Sequence, residues 1–352
     1  MLLIPSSVPD LTMRSTRTRS CVAITLTALA LTGCSSGIGP SYDGSGVPDD
    51  GRLRVATTVA PITSIVAAVG GDLIDITGIV PEGTNSHTFE PAPSVAELLS
   101  TVDMFVLNGL QLEEPTRELA DANLRPDATI VSLGDLVLEP GDEIYDFSFP
   151  EAEGKPNPHL WTDPTLVIAY TDAVAAALTS ADPDNAAAFE TNRAAYVAEV
   201  ERFEAAMVSA LDTVPASDRR LLTYHDSFAY FARSYGWDVI GAVQVSDFGE
   251  PTAKEVADLI TQVRDAGIPA IFGSEVFPSP VLEQIGQEAG VSYVDVLRDD
   301  DLPGEPGDVD HSLLGLLRFD FRTIVEALGG DPSALDALDL APTAPDNASY
   351  PQ

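Results

Sequence analysis

The order of apolar segments between residues 53 and 133 recurs between residues 221 and 296, and no other feature restricts the fold as tightly. In the first stretch, residues 53–59 read as a buried strand, 62–69 as a helix and 74–80 as a second strand. A helix opening at Glu90-Pro91 follows, then strands at 104–107 and 128–133. In the second stretch, 221–224 is a strand, 227–235 a helix and 239–245 a strand. Glu250-Pro251 opens the next helix, and strands at 270–272 and 291–296 close the series. The two Glu-Pro pairs stand 160 residues apart. Strands alternating with helices imply parallel pairing. The expected class is therefore α/β, with two similar lobes that each carry a mostly parallel sheet.

Between the halves the pattern is helical. Pro164 suits the first turn of a helix running to about residue 180. A second helix begins near Asp184, and Tyr196, Val197, Val200, Phe203, Met207 and Leu211 form its apolar stripe. The expected domains are a lobe over 53–162, a linker helix over 163–182, a second lobe over 183–338 and a disordered tail over 339–352. A helical connection is stiffer than a loop, which predicts small hinge motions.

The N-terminus reads as an address. Arg14, Arg17 and Arg19 precede an uncharged apolar run over 21–31, too short for a bilayer, which takes about 20 residues. The run ends in Leu31-Thr32-Gly33-Cys34, which resembles a bacterial lipobox. Residues 1–33 are then a lipoprotein signal peptide, Cys34 is lipidated (a palmitate-type acyl anchor), and 34–52 is a flexible tether rich in Gly, Ser and Asp. The only other cysteine is Cys21, so no thiolate metal site or disulfide framework exists beyond Cys34. Eighteen basic residues face fifty-five acidic ones, a formal charge of −37. Such a surface excludes nucleic acid as a partner and tolerates cations.

Histidine is scarce, with four in the chain. His87 lies in the loop after a strand, His159 just before the linker helix, and His225 at the end of the second half's first strand. Asp295 stands near the end of the last strand. Ligands of parallel sheets bind beyond the carboxyl ends of strands, where these residues lie. Their spacing matches no short metal motif.

Five segments carry a closer likeness. They are Gly83-Thr84-Asn85-Ser86-His87-Thr88-Phe89-Glu90-Pro91, Asn157-Pro158-His159-Leu160-Trp161-Thr162-Asp163-Pro164, Tyr224-His225-Asp226-Ser227-Phe228, Glu250-Pro251-Thr252 and Tyr293-Val294-Asp295. With these the chain resembles the zinc- and manganese-binding solute-binding proteins of ABC importers, a cluster that includes metal-binding lipoprotein adhesins. The resemblance covers about residues 53–332. It implies two lobes joined by one long helix with the metal between them, held by His87, His159, His225 and Asp295. A Glu in place of the third histidine usually goes with manganese in this family, so His225 implies zinc, with manganese as the alternative cargo. The implied setting is extracytoplasmic, on a lipid anchor, and the implied partners are an ABC permease with its ATPase and a metallochaperone. The chain is expected to act as a monomer.

Four protein ligands close a zinc shell and leave no position for activated water, which implies carriage, not catalysis. A zinc-dependent hydrolase, a haem or siderophore binder and an adhesin are the rival readings. The His-rich loop of many zinc-specific relatives is replaced over residues 139–155 by an acidic stretch without histidine, read as a solvated flap. The family's proline before the first ligand is Ser86 here. Asp163, Asp226 and Glu90 would hold imidazole N–H groups or cap helices. Asp295 is preferred to Glu275 as the carboxylate ligand, His311 reads as a surface residue, and Asp299-Asp300-Asp301 as solvated loop. Because only neutral imidazole ligates, affinity is expected to fall below pH ~6.5.

Overall fold

A computed structural model describes residues 51–244, 251–274, 279–340 and 348–349. Cys34, the signal and tether segments, Glu250 and Glu275 lie outside the described residues. The first half runs β1 (Leu53–Thr57), α1 (Ala60–Gly70), β2 (Ile74–Gly78), α2 (Pro93–Leu99), β3 (Met104–Leu107), α3 (Glu114–Asn123), β4 (Thr129–Ser132) and α4 (Leu133–Val137). Two long helices follow, α5 (Pro164–Ala181) and α6 (Ala186–Leu211). The second half runs β5 (Arg220–Thr223), α7 (Ala229–Tyr235), β6 (Asp238–Ala242), α8 (Ala253–Ala266), β7 (Ala270–Ser274), α9 (Pro280–Ala289), β8 (Ser292–Leu297), α10 (Leu313–Ala327) and α11 (Ser333–Asp336).

The repeat read in the sequence is a repeat of topology. The first sheet has the order β2-β1-β3-β4 and the second β6-β5-β7-β8, and every pairing is parallel. Parallel strands need helices on both faces, so their central strands read as continuous apolar runs. All four residues of β3 and all five of β7 are buried accordingly.

Local chemistry sets the helix starts. Asp163 caps α5 by accepting from the Thr165 amide at 2.9 Å, with Pro164 in the first turn. Thr252 and Glu255 form a reciprocal capping box at α8. The stripe of α6 buries Tyr196, Val200, Phe203, Met207 and Leu211. One apolar cluster runs from Val55 and Ile62 through Tyr170 and Phe203 to Phe272 and Phe321. The helices between the sheets thus belong to a core that both sheets share. Smaller clusters cover the opposite face of each sheet, around Phe105 in the first and Ile271 in the second.

Three expectations are corrected. The acidic stretch over 139–155 is not a free flap: it forms a strap with Ser148 and Phe149 buried. His311 is 3% exposed, buried and not on the surface. The C-terminal stretch expected to be disordered from residue 339 has Leu340 in the core, and Ser349 forms a parallel bridge to Thr77 at the β2 edge. An open edge is a row of unmet donors and acceptors, and Ser349 meets two of them, Gly78 N–H and Ile76 C=O.

Candidate metal centre

His87, His159 and His225 arrive from separate elements and meet. A short turn carries His87, where the Asn85 side chain accepts from the His87 amide at 3.0 Å. His159 ends an extended Asn157-Pro158 segment just before α5. His225 follows β5 by two residues. The Nε2 atoms lie 3.3 Å apart for His87–His159, 3.1 Å for His87–His225 and 2.9 Å for His159–His225. Donors bound to one tetrahedral ion at 2.0–2.1 Å sit about 3.3–3.4 Å apart, so a single ion fits this triangle with little adjustment.

The protonation state suits a cation. Burial pushes the His87 imidazole well below its usual range, helped by the positive potential of His225 and Lys155. Burial does the same to His159, helped by His225 and His87. Both rings are therefore neutral and present lone pairs at neutral pH. The remaining ring nitrogens fix which lone pair faces inward. His159 Nδ1 donates to Asn157 Oδ1 at 2.8 Å, and His225 Nδ1 donates to Gln244 Oε1 at 2.7 Å, which leaves the Nε2 lone pair of each ring as the ligating one.

The carboxylates differ from expectation. Asp295 is exposed on β8, an edge strand, and does not line the recess against the imidazoles. Asp299 and Asp300 line it instead, together with Asn85, Ser86 and Gln244. The stretch Asp299-Asp300-Asp301 is thus no solvated loop. Asp299 accepts from Ser227 Oγ at 3.1 Å, and its carbonyl accepts from Trp161 Nε1 at 3.1 Å. The Asp300 carboxyl accepts from Ser86, the neighbour of His87, while burial and the Asp301 charge push it up to about 8. Position near a strand end misled the reading: the chain leaves β8 at Leu297 and turns its acids inward only after the strand ends.

Asp163, Asp226 and Glu90 do not contact the imidazole N–H groups that are paired above. Asp163 caps α5 and accepts from Ser234. Asp226 is fully buried opposite Asp146, and burial and that neighbour hold its carboxyl well above the ordinary range. Glu90 is exposed. The work falls to Asn157 and Gln244, amides that a search for charged partners passes over. Asn157, two residues before His159, carried the only local signal.

A further support was not visible in the sequence. Gly109, Leu110 and Gln111 after β3 all have positive φ, at 84°, 53° and 63°. Leu110 and Gln111 adopt this left-handed form at a cost that the surroundings must hold in place. Glu113 does so by accepting from the Asn108 amide at 2.9 Å, the Gly109 amide at 3.1 Å and Thr58 Oγ1 at 2.5 Å. Burial pushes its carboxyl up to about 7. The turn aims Asn108 Nδ2 at the Pro158 carbonyl, 2.9 Å away, which steadies the residue before His159.

Residues 55–327 match the family model described as zinc-uptake complex component A, periplasmic. The chain belongs to this family. It is accordingly a substrate-binding protein of a metal ABC importer, an extracytoplasmic component that works with a membrane permease and its ATPase. The manganese-binding lipoprotein MntA of Halalkalibacterium halodurans is 25% identical over 306 residues, covering 87% of this chain and 96% of the relative. The iron-binding protein YfeA of Yersinia pestis is 25% identical over 278 residues, covering 79% and 87%. Among solved structures, the periplasmic zinc-binding protein TroA of Treponema pallidum superposes with a TM-score of 0.71 at 25% identity, covering 79% of this chain and 99% of that one. A manganese-bound periplasmic protein of Candidatus Liberibacter asiaticus gives 0.70 at 25% identity, covering 79% and 100%. The family thus spans several metals on one fold, and the hydrolase reading finds no support in it.

Proposed function

We propose that the protein captures zinc with His87, His159 and His225 and presents it to the importer from a lipid anchor at Cys34. The observation that carries this reading is the approach of three imidazole Nε2 donors to within 3.3 Å of one another. Asp300 is the fourth donor, in place of Asp295. Its carboxyl belongs to the recess that the three imidazoles line and is bonded to Ser86 beside His87. Asp299 is less suited, because Ser227 already engages its carboxylate. Three imidazoles and one carboxylate make a closed four-coordinate site that zinc accepts without geometric penalty. The protein acts as a monomer.

Manganese or iron is the second reading, favoured by what the relatives MntA and YfeA are named for. Elemental analysis of the protein as isolated, followed by competition between zinc and manganese, separates the two. About one zinc per chain, retained against excess manganese, is the expected result. Displacement of zinc by equimolar manganese overturns it. Replacement of Cys34 by Ala is expected to release the protein from the membrane fraction, and an unchanged distribution overturns the anchor.

A further inference from the structure

The strap over residues 139–156 crosses to the second half and is fastened there. Tyr230 Oη accepts from the Ile144 amide at 3.3 Å, Arg233 donates to the Asp142 carbonyl at 2.8 Å, and Ser148 Oγ donates to the Gln244 carbonyl at 2.8 Å. Gln244 is the residue whose side chain orients His225. The strap also ties back on itself, with the Asp146 amide donating to the Phe149 carbonyl at 2.8 Å. These bonds aim one side chain at the triad. The Phe149 ring centroid is 5.5 Å from that of His87, 5.7 Å from His159 and 5.8 Å from His225. Near-equal distances put the phenyl close to the axis of the triangle, and the residue is 6% exposed.

Phe149 lines one of two spaces beside the triad. The recess formed by the three imidazoles, Asp299 and Asp300 measures about 10 Å³ and does not include Phe149. That is room for about one water at most. A hollow of about 40 Å³ lies on the strap side, lined by Phe149, Ser148, Gln111, Lys155 and the edge of His87. On that side the phenyl ring, 5.5–5.8 Å from all three imidazoles, fills volume that water would otherwise take beside the triad.

We propose that Phe149 limits a metal held by the triad to four donors and so selects zinc over metals that need more. The inference rests on the reading of the triad as the cargo site. Zinc has no d-electron preference and loses nothing with four ligands, whereas manganese favours an octahedral, oxygen-rich shell. Additional donors here would have to be waters, and an apolar ring offers a water none of the polar partners it needs. Phe149 is a specificity-determining residue that touches the ligands and contributes no donor of its own.

The test loads the full chain with Co²⁺, whose visible absorption is intense in four-coordinate sites and weak in five- or six-coordinate ones. The parent is expected to absorb intensely. In Phe149→Ala the intensity should fall as water joins the shell, and the zinc-to-manganese affinity ratio should drop about tenfold, within the range seen when outer partners of a site are lost. Phe149→Leu, which keeps an apolar plug, should retain the parent spectrum and the parent ratio. A weak parent spectrum overturns the inference, as does a Phe149→Ala protein with the parent's spectrum and ratio. If Phe149→Leu behaves like Phe149→Ala, the effect is loss of strap packing and the inference also falls. A parent that binds neither Co²⁺ nor Zn²⁺ instead overturns the cargo site itself, so the two failures are told apart.

Discussion

Asp300 and Asp295 differ by five positions and, on this reading, by whether the carboxylate reaches the metal. Asp300 sits in the recess and carries a proton until about pH 8, because burial and Asp301 disfavour its charge. Metal binding must displace that proton, so affinity falls about tenfold per pH unit as the pH drops below 8 and levels off above it. His87 and His159 add nothing to this slope near neutrality. Their protonation is pushed well below the usual 6.5, so the loss expected below pH ~6.5 from these two histidines moves to more acid pH. Zinc competition titrations from pH 6 to 9 should show the slope in the parent. Asp300→Asn should flatten it and weaken binding by more than the roughly 10–100-fold typical of an outer partner. Asp295→Asn should match the parent in both respects, and equal effects of the two substitutions would return the ligand role to Asp295. The three histidines were legible in the sequence because they are scarce and sit at element ends. The carboxylate was not, because three consecutive acids look like any solvated turn until the loop after β8 is seen folded back toward Ser86. Asn157 and Gln244 were hidden for a different reason: a neutral amide earns no attention by charge, and Gln244 is 19 residues from the His225 ring that it orients.

Among the elements, α6 does most to join the two halves. Phe203 on this helix is fully buried, with its ring centroid 6.4 Å from that of Phe321 on α10. Phe203→Ala should cost about 3–5 kcal/mol, since the cavity lies in the core shared by both sheets and has little freedom to collapse. Urea unfolding is expected to show the loss as one cooperative transition at a lower midpoint. Two resolved transitions would mean that the halves unfold separately. The strands and the linker helix were legible because their periodicity is strong: α5 begins at Pro164 as read, and β3 occupies residues 104–107 as read. The strap was not, since neither a 2.0 nor a 3.6 period runs through residues 139–156. Its order comes from scattered bonds to Tyr230, Arg233 and Gln244, partners that only the folded chain brings near. The pairing of Ser349 with β2 is of the same kind, decided by an open sheet edge and not by the local sequence.

Over the whole molecule, a net charge of −37 and a largely buried triad act on different steps of metal capture. The acidic surface raises the local concentration of divalent cations, which speeds encounter without forming any bond to the metal. Salt screens such exposed charges beyond about 10 Å at 0.1 M. The donors themselves are nearly out of reach of solvent, with His159 at 1% and His225 at 5% exposure. Release requires breaking those bonds, a step that bulk salt touches little. Stopped-flow measurements should therefore find a zinc association rate that falls as ionic strength rises from 10 to about 300 mM, with a dissociation rate that stays nearly constant. The same asymmetry argues that the importer cannot draw the metal out by electrostatics alone. It must act on the fastened parts, and the continuous core through α5 and α6 leaves the strap and the loops bearing His87 and Asp300 as the segments with room to yield. A dissociation rate that instead followed ionic strength in step with association would place the metal at the acidic surface and not at the triad.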